Sequence, residues 1–97
     1  MDEWAYAQAK PTEKLARLHY FSVMKQQDGT EIEFLVTVKE YAVPTDRRMR
    51  FFALADKQTN QGSAPYTPCG WGETLLSALS DCLMELHRFP YQGKTES

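Results

Sequence analysis

The dipeptide Asp28-Gly29 constrains the fold of this chain more than any other feature of its sequence. It separates two runs, residues 18–26 and 31–41, that are rich in β-branched and aromatic side chains. Asp-Gly readily adopts the positive φ angles of a type I′ turn, whose twist matches that of two paired strands. The two runs are therefore predicted to form a β-hairpin with a two-residue loop.

A two-residue loop also fixes the register of the hairpin and thereby its two faces. The predicted pairs on the first face, which is mostly apolar, are Lys25 with Ile32, Val23 with Phe34, Phe21 with Val36, and His19 with Val38. The second face is more apolar than a solvated face usually is, so a second copy of the chain or the N-terminal arm is expected to cover it. The candidate interface on this face consists of four hairpin residues and two residues of the predicted third strand. These are Leu18, Tyr20, Met24 and Leu35 of the hairpin, and Phe52 and Leu54 of the third strand.

Residues 48–57 predict a third strand that follows a turn at Pro44. We expect its inward residues to be Met49, Phe51, Ala53 and Ala55, because alanines let a helix approach closely and the opposite choice would bury two charged side chains. The polar stretch over residues 58–71 contains enough Gly, Ser and Pro to predict a loop without regular structure. Its length makes it a candidate functional loop.

Residues 73–88 predict an amphipathic helix whose apolar stripe is Leu75, Leu79, Cys82 and Leu86. Glu73 is expected in the first turn, and Pro90 ends the helix. The stripe is predicted to pack on the first face of the hairpin. The expected architecture is α+β, in the order β-β-β-α, with an antiparallel sheet of three strands, or four, and one C-terminal helix on one face.

The length of 97 residues, 42% of them hydrophobic and 25% charged, suits a single domain over residues 1–97. Residues 1–12 are expected to form an N-terminal arm and residues 91–97 a flexible tail. No apolar run is long enough to span a bilayer, the first residues do not resemble a signal peptide, and two cysteines are too few for a disulfide framework. We therefore expect a cytoplasmic protein with no membrane partner.

Arg47, Arg48 and Arg50 form the only basic cluster, and Tyr41 and Phe52 lie near it in the predicted sheet. Basic side chains interleaved with aromatic rings bind single-stranded nucleic acid through phosphate contacts and base stacking. Alternatively, arginines at a strand edge keep that edge soluble. The net charge of -2 provides no general attraction for nucleic acid, so binding would depend on this local patch.

Cys69 precedes the helix, where the helix dipole could lower the pKa of its thiol and make it a nucleophile. No base is placed beside it, because His19 is on a strand and His87 is at the far end of the helix. Cys69, Cys82 and His87 also lack the paired ligand spacing of a zinc site. We expect both thiols to be unbonded, Cys82 to be a core residue, and the protein to have no catalytic residue, metal or cofactor.

Cys69, Gly70, Trp71 and Gly72 are a candidate loop site, since bare backbone amides before a helix can bind an anion. The alternative is that the glycines turn the chain and place the indole ring against the core. The sequence here matches neither the Walker motif nor the dinucleotide fingerprint.

The stretch Cys-Gly-Trp-Gly-Glu-Thr-Leu-Leu-Ser-Ala-Leu over residues 69–79 resembles the Gly-(Asp/Glu)-Thr-x-x-x-Ala segment that opens the helix of HicB-like antitoxin domains. The third strand and the long loop after it depart from that family's compact pattern. The resemblance implies a domain that binds a partner toxin, often as an oligomer, without catalysis of its own.

Three hypotheses follow from these observations. The first is a non-enzymatic interaction module, a homodimer or a binder of another protein, that uses the second sheet face or the loop over residues 58–71. The second is a single-stranded nucleic-acid-binding domain. The third is a thiol enzyme that uses Cys69.

Overall fold

The computed structural model describes residues 3–61 and 64–91. Residues 1–2 of the predicted arm and residues 92–97 of the predicted tail lie outside this part of the chain. The elements in chain order are a 3-10 helix at Glu3–Ala7, β1 (Ala16–Gln27), β2 (Thr30–Tyr41), a 3-10 turn at Arg47–Met49, β3 (Phe51–Ala55), β4 (Thr59–Gln61), β5 (Ala64–Tyr66), β6 (Cys69–Gly72) and α1 (Leu75–Arg88).

The β1–β2 hairpin has the predicted turn and the predicted register. Asp28 and Gly29 have φ angles of 55° and 77°, the left-handed values that a type I′ turn requires. Val23 lies opposite Phe34, and the other three predicted pairs are also present. The turn chemistry therefore places the alternating apolar side chains on one face.

The main sheet has four antiparallel strands in the order β1-β2-β3-β6, and α1 is the helix that follows it. The α+β architecture with one C-terminal helix is confirmed, and the fourth strand is β6. The prediction of an irregular loop over residues 58–71 was wrong, because β4 and β5 form a small hairpin and β6 pairs along β3. Glycines and a preceding proline lower the strand propensity of β6, and the pairing partner that overrides this lies far away in sequence.

The third strand is shorter than predicted, since Arg47–Met49 form a 3-10 turn before it. Asp46 begins this turn, and its Oδ1 accepts a hydrogen bond of 2.9 Å from the backbone N–H of Arg48. Phe51, Ala53 and Ala55 are buried, as the sequence predicts. The inward placement of Met49 was wrong, because this residue precedes the strand and is 38% exposed.

Helix α1 begins at Leu75, and Thr74 is its N-cap. The Thr74 hydroxyl accepts a hydrogen bond of 3.1 Å from the backbone N–H of Ser77, so Glu73 lies before the helix and not in its first turn. The predicted stripe faces the sheet, with Cys82 and Leu86 fully buried. No helix in the described ranges is long and apolar enough to cross a membrane.

The helix packs on the predicted face of the sheet, where Cys82 and Leu86 share one hydrophobic core with Phe34. Within that face it lies mainly over β6 and β3, with fewer contacts to β2. The helix lies close to β6 because Gly70 of that strand has no side chain. A Cβ atom on Gly70 would lie 2.5 Å from the backbone oxygen of Ala78 and 2.5 Å from the Cβ of Asp81. The bare backbone at Gly70 thus lets α1 approach the edge of the sheet closely.

The far end of α1 is tied to the hairpin by a lysine of β1. The Lys25 ammonium donates hydrogen bonds of 2.7 Å to the Leu86 carbonyl and 2.6 Å to the Phe89 carbonyl. A cation at the C-terminal end of a helix is favourable because the last carbonyls lack intrahelical partners. Partial burial lowers the pKa of Lys25, which nevertheless remains hydrogen-bonded to two acceptors.

We expect Leu86→Ala to destabilise the fold by about 2–5 kcal/mol, because it opens a cavity at a fully buried position. Leu76→Ala is the matched control on the same helix, since Leu76 is 73% exposed and should change the stability by less than about 0.5 kcal/mol. Urea unfolding followed by circular dichroism measures both. Equal midpoints for the two variants would show that α1 packs through another face.

We expect Gly70→Ala to cost about 1–3 kcal/mol, because the added methyl group meets helix backbone that cannot move without shifting α1. Ser80→Ala, at an exposed helix position, is the control and should be nearly neutral. Thermal unfolding measures the difference. An unchanged melting temperature for Gly70→Ala would contradict the close approach of α1 to β6.

Candidate functional site

The sheet face that α1 does not cover is called the open face here. It is composed of alternate residues of four neighbouring strands, which the observed register brings into cross-strand rows. Its principal side chains are Leu18, Tyr20, Ser22 and Met24 of β1, Glu33, Leu35, Thr37, Lys39 and Tyr41 of β2, Phe52 and Leu54 of β3, and Trp71 of β6.

The six predicted interface residues all lie on the open face. Tyr20 is 71% exposed, Met24 56% and Leu35 50%, and of the six only Phe52 is half-buried. No element in the described part of the chain covers these side chains, and the arm, whose Glu3–Ala7 segment forms a 3-10 helix, does not shield them. The face is therefore an apolar surface with no intramolecular partner among residues 3–61 and 64–91.

Three aromatic rings, one from each of β2, β3 and β6, form a cluster at one end of the open face. The centroids of Phe52 and Trp71 are 4.4 Å apart, and those of Tyr41 and Trp71 are 6.5 Å apart with only 19° between the ring planes. Trp71 thus packs against Phe52 and lies nearly parallel to Tyr41. Sequence reasoning placed Trp71 in a loop, because Gly70 and Gly72 on either side of it lower the strand propensity of this segment.

A hollow of about 260 Å³ adjoins this cluster. The residues that line it are Lys14, Tyr41, Val43, Thr45, Met49 and Trp71. They come from the segment before β1, the end of β2, the following turn and β6. Only the tertiary structure brings these segments together, so no local sequence pattern marks the hollow.

The structure places the arginines of the predicted basic patch in two different environments. Arg47 and Arg48 are exposed in the 3-10 turn before β3. Arg50 belongs to another environment, since its Nη2 lies 3.3 Å from Oε2 of Glu40 and its guanidinium lies 5.7 Å from the centroid of the Phe51 ring. Arg50 lies beside Tyr41, whose backbone N–H donates a hydrogen bond of 3.0 Å to the Arg50 carbonyl, but the Arg50 side chain pairs with the buried Glu40 carboxylate on the helix side of the sheet.

Sequence reasoning missed this buried charge cluster around Glu40. His19 Nε2 lies 2.9 Å from Oε1 of Glu40, and Arg50 contacts the other carboxylate oxygen. Glu40 shares the inward register of Phe34, Val36 and Val38, which is the signal that could have revealed it. A buried carboxylate with two partners is expected to be structural, since removal of either partner would leave charge without compensation.

The glycines of the candidate loop site face α1. A Cβ atom on Gly72 would lie 2.8 Å from the backbone nitrogen of Ala78, and the Thr74 side chain already accepts a hydrogen bond from Ser77. The helix therefore fills the space beside Gly70 and Gly72. This packing accounts for both glycines without an anion.

The two cysteines are free and sit in different environments. Cys82 is fully buried, its Sγ donates a hydrogen bond of 3.5 Å to the Pro68 carbonyl, and burial raises the pKa of its thiol to about 12. Cys69 is half-buried, and its Sγ lies 3.6 Å from the Tyr66 hydroxyl. This hydrogen bond, followed by burial, raises the pKa of Tyr66 to about 12, so Tyr66 cannot act as a base near neutral pH.

No histidine interaction with either thiol is present in the described ranges, nor any group of three or more His, Cys, Asp and Glu that could hold a metal ion. His19 instead contacts Glu40. No histidine is therefore placed to activate either thiol in the part of the chain that the structure describes.

We expect iodoacetamide to alkylate Cys69 in the folded protein much faster than Cys82, because the Cys82 thiol is inaccessible and protonated. Both thiols should react at similar rates in urea. Mass spectrometry of peptides after short reaction times measures the two rates. Rapid labelling of Cys82 without denaturant would show that it does not occupy the core.

In comparisons with protein-family models, curated proteins and solved structures, no match to this chain was found. What the chain does must therefore be inferred from its own geometry. Packing accounts for the glycines, the thiols and Glu40. The open face and the hollow beside Trp71 remain as candidate binding surfaces.

Proposed function

We propose that the protein is a non-enzymatic interaction module that self-associates through its open face. The observation that supports this proposal is the exposure of five large apolar side chains on one face, without a covering element in residues 3–61 and 64–91. These side chains are Leu18, Tyr20, Met24, Leu35 and Leu54, and each is at least 40% exposed. Contiguous apolar surfaces of this kind are uncommon on monomers and mark interaction sites.

A second copy of the chain fits the charges on this face. Along β2 the open-face residues are Glu33, Leu35, Thr37 and Lys39, so opposite charges flank a neutral centre. A two-fold axis in the plane of the interface and perpendicular to the strands would place Glu33 of one copy against Lys39 of the other. The face is therefore complementary to itself in charge as well as in apolar character.

The centre of the patch also offers a place for a side chain to insert. A hollow of about 250 Å³ is lined by Tyr20, Phe21, Ser22, Leu35 and Val36. Interfaces concentrate their binding energy where an anchor side chain fills such a hollow. In the proposed two-fold arrangement this hollow lies close to the axis, where each copy can receive a side chain of the other.

The size of the face sets the expected affinity. From Leu18 to Met24 the patch extends roughly 20 Å along the strands, and four strands at about 4.8 Å spacing make it roughly 20 Å wide with side chains. A face of this size is at the small end of specific interfaces, so we expect a reversible, concentration-dependent dimer.

The local resemblance of residues 69–79 to HicB-like antitoxin domains supports a binding function, because those domains act by binding a partner protein and often form oligomers. It favours an interaction module over a thiol enzyme.

We expect Leu35→Glu to abolish self-association, because it buries a charge at the centre of the proposed interface. Leu76→Glu is the matched control, since it makes the same chemical change at a 73% exposed position on α1. Sedimentation velocity over a hundredfold range of concentration should show a monomer–dimer equilibrium for the wild type and for Leu76→Glu, and a monomer for Leu35→Glu.

Charge reversal tests the proposed orientation of the two copies. Glu33→Lys and Lys39→Glu should each weaken the dimer, and the double variant should restore it, because the two reversed charges again face each other. A wild-type protein that remains monomeric at the highest concentration would contradict the proposed function. Equal dimerisation of Leu35→Glu and Leu76→Glu would place the interface elsewhere.

A further inference from the structure

We propose that the hollow lined by Lys14, Tyr41, Thr45, Met49 and Trp71 is a binding site for a nucleobase that carries an adjacent phosphate. This proposal is independent of self-association, since the hollow lies beyond the end of the apolar patch. It also differs from the arginine patch expected from the sequence, because neither Arg47, Arg48 nor Arg50 lines the hollow.

The aromatic surface suits a flat ring. Tyr41 and Trp71 both line the hollow, and their ring planes are within 19° of parallel. Phe52 packs on Trp71 at a centroid distance of 4.4 Å and holds the indole in place. A ligand ring can therefore stack on a preformed aromatic surface, which every nucleobase can do because each has a π face.

The volume and the position of the hollow suit a small ligand. About 260 Å³ is far more than the roughly 30 Å³ that one water occupies and is close to the lower limit of common ligand pockets. Trp71 is 40% exposed and Met49 38% exposed, so the aromatic surface is accessible from solvent. Methionine adapts its shape to a bound group more readily than a branched side chain does.

The charge of the lining favours a phosphate beside the base. Lys14 is the one charged residue of the lining, and no carboxylate in the described ranges forms an ion pair with it. Thr45 provides a hydroxyl that can donate to a phosphate oxygen or to the edge of a base. A cation without a carboxylate partner next to exposed aromatic rings is the combination that binds single nucleotides of a strand.

Two sources can supply this chemistry, a free mononucleotide and a nucleotide within a single strand. Trp71 reports on both once Trp4, the other tryptophan, is replaced in a Trp4→Phe chain. We expect adenosine monophosphate to quench Trp71 emission saturably, adenosine to bind at least fivefold more weakly, and ribose 5-phosphate neither to quench nor to compete.

A five-nucleotide oligoadenylate distinguishes the two sources. Binding more than tenfold tighter than that of the mononucleotide, with a strong salt dependence, identifies a strand as the ligand. Equal affinity of the two probes identifies the free nucleotide. Either result supports a base-and-phosphate site.

Saturation-transfer NMR measures the binding of adenosine monophosphate to variants of the hollow without relying on tryptophan emission. Tyr41→Ala and Lys14→Gln should each weaken binding at least fivefold, and Tyr41→Phe should retain it, which separates loss of the ring from loss of the fold. Tyr6→Ala and Lys57→Gln are matched controls outside the hollow and outside the proposed interface, and they should bind as the wild type does.

Three results would overturn the proposal. The first is the absence of saturable quenching by both the mononucleotide and the oligonucleotide. The second is equal competition by ribose 5-phosphate, which would indicate an anion site without base recognition. The third is tighter binding of N-acetyl-tyrosinamide than of adenosine monophosphate, which would assign the hollow to an aromatic side chain of a protein partner.

Discussion

The close approach of α1 to β6 determines which surfaces of this protein are available for binding. Because Gly70 has no side chain, the helix backbone at Ala78 lies directly against the edge strand. Helix α1 has 14 residues and is therefore about 21 Å long, enough to cover one face of a small sheet but not two. Lys25 fixes its C-terminal end to the hairpin. The face left open is a direct consequence of this geometry.

The open face is not uniform, and its two ends suit different ligands. Met24 and Glu33 lie at the hairpin end, whereas Tyr41 and Trp71 lie at the other end beside a hollow with a lysine. In the proposed two-fold arrangement the axis passes between Leu35 and Thr37. The hollow would then lie at the rim of the dimer and remain accessible, so self-association and nucleotide binding are compatible on one face.

The elements that local chemistry specifies were predictable from the sequence, and those specified by distant contacts were not. The Asp28-Gly29 turn fixed the hairpin register, and the 3.6-residue period of α1 identified Cys82 and Leu86 as buried. Strand β6 was not predicted, because its glycines suggest a loop and only its pairing with β3 makes it a strand. The aromatic cluster was missed with it, since Trp71 meets Tyr41 only across the completed sheet.

The central claim is that the open face is solvated in the monomer and buried when two copies meet. Methyl NMR spectra recorded over a dilution series test it most directly, with Leu35, Leu54 and Met24 as reporters and the exposed helix residues Leu76 and Met84 as internal controls. The account predicts that the three open-face methyl groups shift with concentration and the two helix groups do not. Shifts confined to Leu76 and Met84, or none at any concentration, would contradict it.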